Sequence, residues 1–341
     1  MFYCWNILQS DNKRIENYMK PNLRSIFFIC MLVAFSVEGY CGSRDEYMLI
    51  MFWNLENFFD YTDGGEGESD REFSSSGSRH WTKKRFYAKC DAVAKSIMWM
   101  GDHYGRMPDL IGLAEIENKG VLHKLLKSTA LRKYDYDIIH YDSDDRRGID
   151  VAFLYSKSVL HPESVSVIKP EYDGQKLSTR DILHSSMQIS DGSRIDFIVN
   201  HHPSKFGGED ESEGRRNAAM KALKMLCDSI GSADVVAMGD FNDTPDGSAF
   251  DIIDNHLVNK GLELHRKGEG TIRYEGKWEL IDMFLVGQEW SGSSVMQICR
   301  VPFLMVWDRK HPGEKPFRTF SGPRYIGGVS DHCPIVLKLI K

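Results

Sequence analysis

Carboxylates, carboxamides and imidazoles recur in this sequence where apolar stretches run out. Asn54-Leu55-Glu56-Asn57, Ala114-Glu115, Asn200-His201-His202, Gly239-Asp240-Phe241-Asn242-Asp243 and Ser330-Asp331-His332 share this form, and Ile281-Asp282 is a sixth case. Any one of them alone reads as a loop cap or turn former. The repetition carries the weight, because ordinary turn residues would mix in Ser, Gly and Lys. Six strand ends converging on one sheet face would gather hard oxygen donors suited to Mg²⁺ and imidazoles able to hold or pass a proton.

The elements that must position these groups are legible from periodicity. A first strand is expected at Tyr47 to Leu55, then a polar, Gly-rich surface loop from Asp60 to Arg79. A helix follows from about Thr82 to Met100, with Phe86, Cys90, Val93, Ile97 and Met100 on one stripe. A buried strand at Leu110 to Ala114 completes a strand, helix, strand opening. Short strands are expected near Asp137 to His140, Asp150 to Tyr155, Val165 to Ile168, His184 to Ile189 and Arg194 to Asn200. A second helix, roughly Ser212 to Ile230, leads into Val235 to Met238, with further strands at Leu280 to Val286, Val295 to Cys299 and Pro334 to Leu339. Strands outnumber helices and are joined by both short turns and helical crossovers, which predicts sheets packed on each other with helices outside. With no repeat and no long linker, residues 43–341 are expected to form one domain.

The chain has 341 residues and a net charge of -6, with 42% hydrophobic and 27% charged residues. That is a folded, globular composition. The acidity argues against nucleic-acid binding by bulk positive charge, yet not against phosphodiester cleavage, because bound cations can supply charge locally. Residues 1–42 read as an upstream extension and signal peptide. The signal starts at Met19, with Lys20 and Arg24, the apolar run Ile26 to Val37 and small residues near Gly39 to Ser43. The run is too short to span a bilayer. An exported protein, periplasmic or secreted, with no stable membrane insertion after signal removal, is therefore expected. Cys90, Cys227, Cys299 and Cys333 remain, with no CxxC pair; Cys90 and Cys227 fall on apolar helix faces as buried thiols. No GxGxxG, Walker-type loop, HExxH or GxSxG occurs, which removes support for nucleotide-cofactor oxidoreductases, P-loop ATPases, zinc proteases and serine hydrolases.

The ordered segments WNLENFFD, LIGLAEIEN, RRGIDVAFLY, VNHHPSKFGG, MGDFNDTP, ELIDMFLV and GVSDHCPI resemble the endonuclease/exonuclease/phosphatase superfamily, whose members share the fold of pancreatic deoxyribonuclease. The resemblance runs from about Met48 to Leu339, and DREF, RHWTKKRF and RTFSGPRYIGGVSDH further resemble a bacterial exported subgroup. It implies an α/β fold, a four-layered α/β/β/α sandwich of two packed mixed sheets with helices on the outer faces. It also implies metal-assisted hydrolysis of a phosphate ester, with Mg²⁺ as the cofactor and Mn²⁺ or Ca²⁺ as alternatives. Carried over residue by residue, Glu115 matches the metal-binding glutamate and Asn54 the asparagine that helps hold metal and phosphate. Asp240 matches the aspartate that orients or deprotonates the attacking water, and Asn242 the asparagine on the phosphoryl group. His201 and His332 match the two phosphate-contacting histidines; Asp282 is the partner orienting one of them, and Asp331 a metal-site carboxylate.

The sequence departs from the pattern after His201, where an aromatic residue is usual and His202 stands here. Alternation along the preceding strand puts the two rings on opposite sides, and His201 is preferred. Glu117, two residues beyond Glu115, is in phase with it and is the competing carboxylate. Arg147, Lys205 and Arg318 are candidate substrate contacts, with Arg216 and Tyr325 nearby; each also reads as a solvated surface residue. The activity expected first is that of a phosphodiesterase or nuclease, with a phosphatase or phosphodiesterase on a phosphorylated sugar or lipid headgroup as the alternative; the partner is a phosphate ester, DNA or RNA included, bound by a monomer. Two basic stretches, Arg79 to Arg85 and Arg309 to Arg324, suit nucleic-acid backbone contact and equally a pocket for a phosphorylated sugar or lipid headgroup. A non-catalytic binding module on the same fold is disfavoured because Glu115, Asp240, Asn242 and His332 are all present.

Overall fold

The computed structural model describes residues 47–340 except 63, 65, 66, 206–208 and 232. The leader-like segment and the 42/43 boundary lie outside the described residues, as do Gly207 and Gly208. The strands of the two large sheets are β1 (Tyr47–Phe58), β2 (Leu110–Ile116), β3 (Tyr136–His140), β4 (Asp150–Ser156), β5 (Leu160–Ile168), β6 (Ile182–Ile189), β7 (Arg194–His201), β8 (Val235–Asp240), β9 (Val258–Asn259), β10 (Asp282–Val286), β11 (Ser294–Ile298) and β12 (Ile335–Ile340). The helices that matter here are α1 (Lys83–Tyr104), α2 (Lys119–Ser128) and α3 (Glu209–Ile230). Thr82 caps α1, accepting the amide of Arg85 on its side chain, and Gly105 ends the helix in the left-handed region. Helix α2 was not anticipated; its apolar residues Val121, Leu122, Leu125 and Leu126 are buried on one side, and Asn118 caps it.

Both sheets have six strands and both are mixed, in the orders β11-β12-β1-β2-β4-β3 and β9-β10-β8-β7-β6-β5. Each contains one parallel pair, β1 with β2 and β7 with β8. Parallel neighbours need a crossover, and α1 and α3 supply them. Alternation along β1 sorts its side chains into two cores. Leu49, Met51 and Trp53 pack with Phe86, Cys90 and Ile97 of α1 and Leu122 and Leu125 of α2. Met48, Ile50 and Phe52 pack with Phe197 and Val199 of β7 and Met238 of β8, in the core shared by the sheets. Asn54 follows in the second phase, which aims it at the other sheet. The four cysteines among the described residues are buried free thiols. Among the described residues no helix is long and apolar enough to cross a membrane.

The loop after β1 is more constrained than a surface loop. Phe73 stacks on Phe59 at 4.9 Å between ring centroids, Asp70 and Ser74 are buried, and Glu68 and Ser69 donate their amides to the carbonyls of Arg146 and Arg147. Phe59 and Phe73 are thus core for this segment, where a polar surface loop was expected.

Gly239, just before Asp240, has no room for a side chain. A Cβ there would lie 2.4 Å from the carbonyl oxygen of Asn200 on the neighbouring parallel strand. Because that atom is backbone, relief requires β7 and β8 to separate. Gly239→Ala is expected to cost about 1–3 kcal/mol by overpacking, read as a lower denaturant midpoint at unchanged slope.

Candidate active site

The carboxyl ends of both parallel pairs deliver the polar groups, as open α/β sheets do at their ligand crevices. Asn54 comes from β1, Glu115 from β2, His201 from β7 and Asp240 from β8; Asp282 starts β10, in register opposite Asp240. His332 precedes β12. Asn54 and Asp240 meet across the sheets: Asn54 Nδ2 donates to Asp240 Oδ2 at 3.0 Å, while Asn54 Oδ1 accepts the amide of Glu56 at 2.9 Å. Asp240 Oδ1 accepts the amide of Asn242 at 2.9 Å.

Two imidazoles address the same Asp240 oxygen. His201 Nε2 lies 3.5 Å and His332 Nε2 3.9 Å from Oδ2. His332 Nδ1 donates to Asp282 Oδ2 at 2.8 Å, which fixes the ring and leaves Nε2 facing Asp240 and, also at 3.9 Å, Asp331 Oδ1. His202 goes elsewhere. Its ring packs edge-on against Phe241, and neither nitrogen has a hydrogen-bond partner among the described residues. Burial, with Arg180 and Arg216 adding to it, pushes the His202 pKa down to about 3, so this ring is neutral filler.

Burial also drives the electrostatics of the centre. Burial first and the neighbouring Asp282 second raise Asp240 to about 7, against the pull of His332 and the donors Asn242 and Asn54. For His332, burial favours the neutral ring, but the hydrogen-bonded Asp282 outweighs it together with Asp240 and Asp331, leaving the pKa well above the ordinary value. His201 is shifted the other way, by burial and then by Arg180 and Arg147. One imidazole is thus held protonated and the other neutral. Asp240, Asp282 and His332 present ligand atoms within 4.8 Å of one another; the imidazolium between two carboxylates accounts for that closeness.

Glu115 sits in a bulge. Its φ is +61°, and the β2–β4 register slips between Ala114 and Ile116. The irregularity breaks the alternation that put Glu117 in phase with it. Glu117 instead accepts the Asp60 amide at 2.6 Å, and burial followed by the Asp70 side chain raises it to about 8. Glu115 Oε2 accepts the Asn57 amide at 2.7 Å, while Oε1 has Arg147 at 3.6 Å. A 9% exposed carboxylate with one oxygen so lightly engaged is a hard donor that fits Mg²⁺, or Mn²⁺ or Ca²⁺. Asp331 is bonded through Oδ2 to Arg318, and both polar atoms of the Asn54 amide already make hydrogen bonds.

Asn242 has φ +50° and donates Nδ2 to the carbonyl of His202 at 2.9 Å. Arg318 bridges Glu56 Oε1 and Asp331 Oδ2 at 3.1 and 3.0 Å. Lys205 is exposed and lies 3.6 Å from Asp243, which Arg216 approaches at the same distance, so both basic groups face Asp243. Three buried residues have partners that the sequence did not disclose, although Glu56 stands in the Asn54–Asn57 strand-end motif. Glu56 accepts from Arg318 and from the Thr319 amide, and burial, then Asp331, raises it to about 7. Lys89, on α1, donates to the Glu56 carbonyl and Thr319 Oγ1, and burial lowers it to about 8. Arg180 donates to Asp145 and to the carbonyl of His202. Lys89 lies next to Cys90 of the apolar stripe but is not part of it, and its burial was not marked by the spacing.

The family model of the Endonuclease/Exonuclease/phosphatase family matches residues 49–341. The chain belongs to this family. Solved structures share its fold at low identity. A family protein from Bacteroides thetaiotaomicron is 14% identical with a TM-score of 0.56, covering 86% of this chain and 97% of its own. A mannosyl-6-phosphatase from the same species gives 14%, 0.54, 86% and 100%. TDP2 from D. rerio, complexed with a single-strand DNA product, gives 13%, 0.52, 86% and 99%. Comparison with curated proteins returned no match. Members of this family hydrolyse phosphate esters, as nucleases or phosphatases.

The opposed shifts of the two imidazoles are open to direct measurement. In imidazole-detected NMR, His332 is expected to stay protonated above the ordinary histidine range near 6.5 and His201 to stay neutral below it. Asp282→Asn removes the chief counter-charge, so His332 should titrate at clearly lower pH while His201 moves little.

Proposed function

We propose that this protein is a divalent-metal-dependent phosphoester hydrolase in which Asp240 orients and deprotonates the attacking water. The observation that carries the reading is the convergence on Asp240 Oδ2 of Asn54 at 3.0 Å, His201 at 3.5 Å and His332 at 3.9 Å. A pKa raised to about 7 suits a general base that must take a proton near neutral pH. His332, protonated and steered by Asp282, offers a cationic donor to a non-bridging phosphoryl oxygen, and Asn242 offers a neutral one. Glu115, with Asp331 and the second lone pair of Asn54 Oδ1, would hold the cation, which would supply charge neutralisation on the phosphoryl and departing oxygens. Export, to the periplasm or outside the cell, belongs to the proposal and rests on the leader-like run Ile26 to Val37.

Whether the ester is a nucleic acid turns on the basic stretches. The nuclease reading draws on relatives such as the DNA-complexed TDP2, and on Arg79 to Arg85 and Arg309 to Arg324. The guanidiniums of the first stretch are bonded within the protein. Arg79 pairs with Glu72 and donates to the Gly322 carbonyl, and Arg85 donates to the carbonyls of Arg79 and His80 while lying 4.4 Å from the Tyr325 ring. In the second, Arg318 is held by Glu56 and Asp331. These engagements favour the second reading, a small phosphoester such as a phosphorylated sugar or lipid headgroup, for which the mannosyl-6-phosphatase is the parallel.

Hydrolysis of plasmid DNA, RNA, a phosphodiester reporter and phosphorylated sugars and lipids, with Mg²⁺ and with EDTA, separates the two. EDTA is expected to abolish turnover, and Glu115→Gln to raise the Mg²⁺ concentration for half activation. Asp240→Asn should lower kcat by about 10²–10⁴ with an unchanged far-UV spectrum. Wild-type turnover in Asp240→Asn would end the mechanism. As pH rises, kcat/KM should climb as Asp240 loses its proton near 7 and fall at higher pH as His332 loses its own. Asp282→Asn should bring the alkaline limb to lower pH.

A further inference from the structure

We propose that Arg180 is a positioning residue, a buried cross-brace that sets Arg147 and Asn242 relative to each other; the inference rests on the hydrolase reading. Arg180 lies just ahead of β6, and its side chain is 6% exposed. Its Nη1 donates to Asp145 Oδ2 at 3.2 Å, and its Nη2 donates to the carbonyl of His202 at 2.6 Å. The other oxygen of Asp145 accepts the amide of Arg147 at 2.9 Å. The same His202 carbonyl accepts Nδ2 of Asn242, also at 2.9 Å. One guanidinium therefore reaches the β3–β4 loop of the first sheet and the ends of β7 and β8 in the second. It ties the two sheets together at a second point besides the Asn54–Asp240 bond.

The energetics argue for a geometric task. A buried ion pair at best breaks even against apolar packing, and the Nε of Arg180 has no partner among the described residues. Filling the volume alone would be met better by an aliphatic side chain. A lysine would not serve either, because only a planar fork presents two diverging N–H groups in fixed geometry to a carboxylate and a carbonyl. The loop carrying Arg147 has a second anchor in Asp150, whose Oδ1 accepts both the amide and the hydroxyl of Ser143. Losing Arg180 should thus loosen the loop without unfolding it. Arg147 stands 3.6 Å from Glu115 and Asn242 follows Asp240 by two residues, so a displacement of either is felt where the phosphoryl group would sit. A misplacement of about 1 Å can cost on the order of a hundredfold in rate.

The test uses the full chain with Arg180→Gln, Arg180→Lys and Asp145→Asn. Backbone hydrogen exchange by mass spectrometry should rise at least about tenfold in segments 143–148 and 241–244 in both Arg180 variants, with β1 and β8 unchanged. On the best substrate, kcat should fall about 10- to 100-fold with KM much less affected. Arg180→Gln combined with Asn242→Ala should lose less than the product of the single losses. Asp145→Asn keeps an acceptor for the Arg147 amide but drops the charge facing Arg180. It should shift exchange in the same direction by less, and it serves if Arg180→Gln does not fold. Unchanged exchange in both segments overturns the brace whatever the activity does. A loss confined to KM with unchanged exchange makes Arg180 a substrate contact and overturns it too. Asp240→Asn, run in parallel, reports on the hydrolase reading separately: wild-type rates there sink that reading, while the exchange data still decide the brace.

Discussion

The hydrogen bond between Asn54 and Asp240 is the interaction on which the rest of the site depends. The two residues are 186 positions apart and belong to different sheets. It forms only because β1 and β8 run out at the same level, each beside a parallel partner, with apolar residues filling the space between. Met238 and Phe52 both belong to the core shared by the sheets, and Gly239 passes close against Asn200 just before Asp240. The polar centre is therefore a consequence of packing. Apolar residues place the strand ends, and the chemistry sits where they stop.

That placement brings like charges together out of water, which is unfavourable unless each is answered. The answers are local and distinct. Asp282 and Asp240 share the imidazolium of His332; Glu56 and Asp331 share Arg318; Lys89 closes the layer behind Glu56 through its carbonyl and Thr319. The result is a graded field. Two rings shifted in opposite directions, His332 toward the charged form and His201 toward the neutral one, meet at the same Asp240 oxygen.

Much of this was legible in the sequence, for reasons that also explain what was not. The two long helices and the central strands follow from apolar spacing, and the strand-end motifs stood out because hard donors replaced ordinary turn residues. His201 was separable from His202 by alternation alone, and in the structure the two rings do part, one toward Asp240 and one onto Phe241. Alternation failed at Glu115, where a bulge resets the phase and sends Glu117 to the Asp60 amide instead. Helix α2 was missed because its apolar stripe is short. Lys89 and Arg180 could not be recognised, and Glu56, though quoted in a strand-end motif, could not be matched to Arg318, since what distinguishes these residues is a partner far away in sequence and a burial that charged residues normally avoid. The loop after β1 looked solvent-swept for its Gly and Asp content, yet Phe59 and Phe73 nail it to the body.

Four residues around the centre, Glu56, Asn57, Glu115 and Asn242, hold the backbone at positive φ without being glycine. For the glutamates in particular this conformation is uphill. Glycine at those points would relax the chain and discard the side chain that makes the position worth holding. Selection for thermal robustness alone would therefore drift toward an inert version of this fold, more durable and blank at its rim. At these four peptide units a local cost in stability and the side chains that face the site are held together.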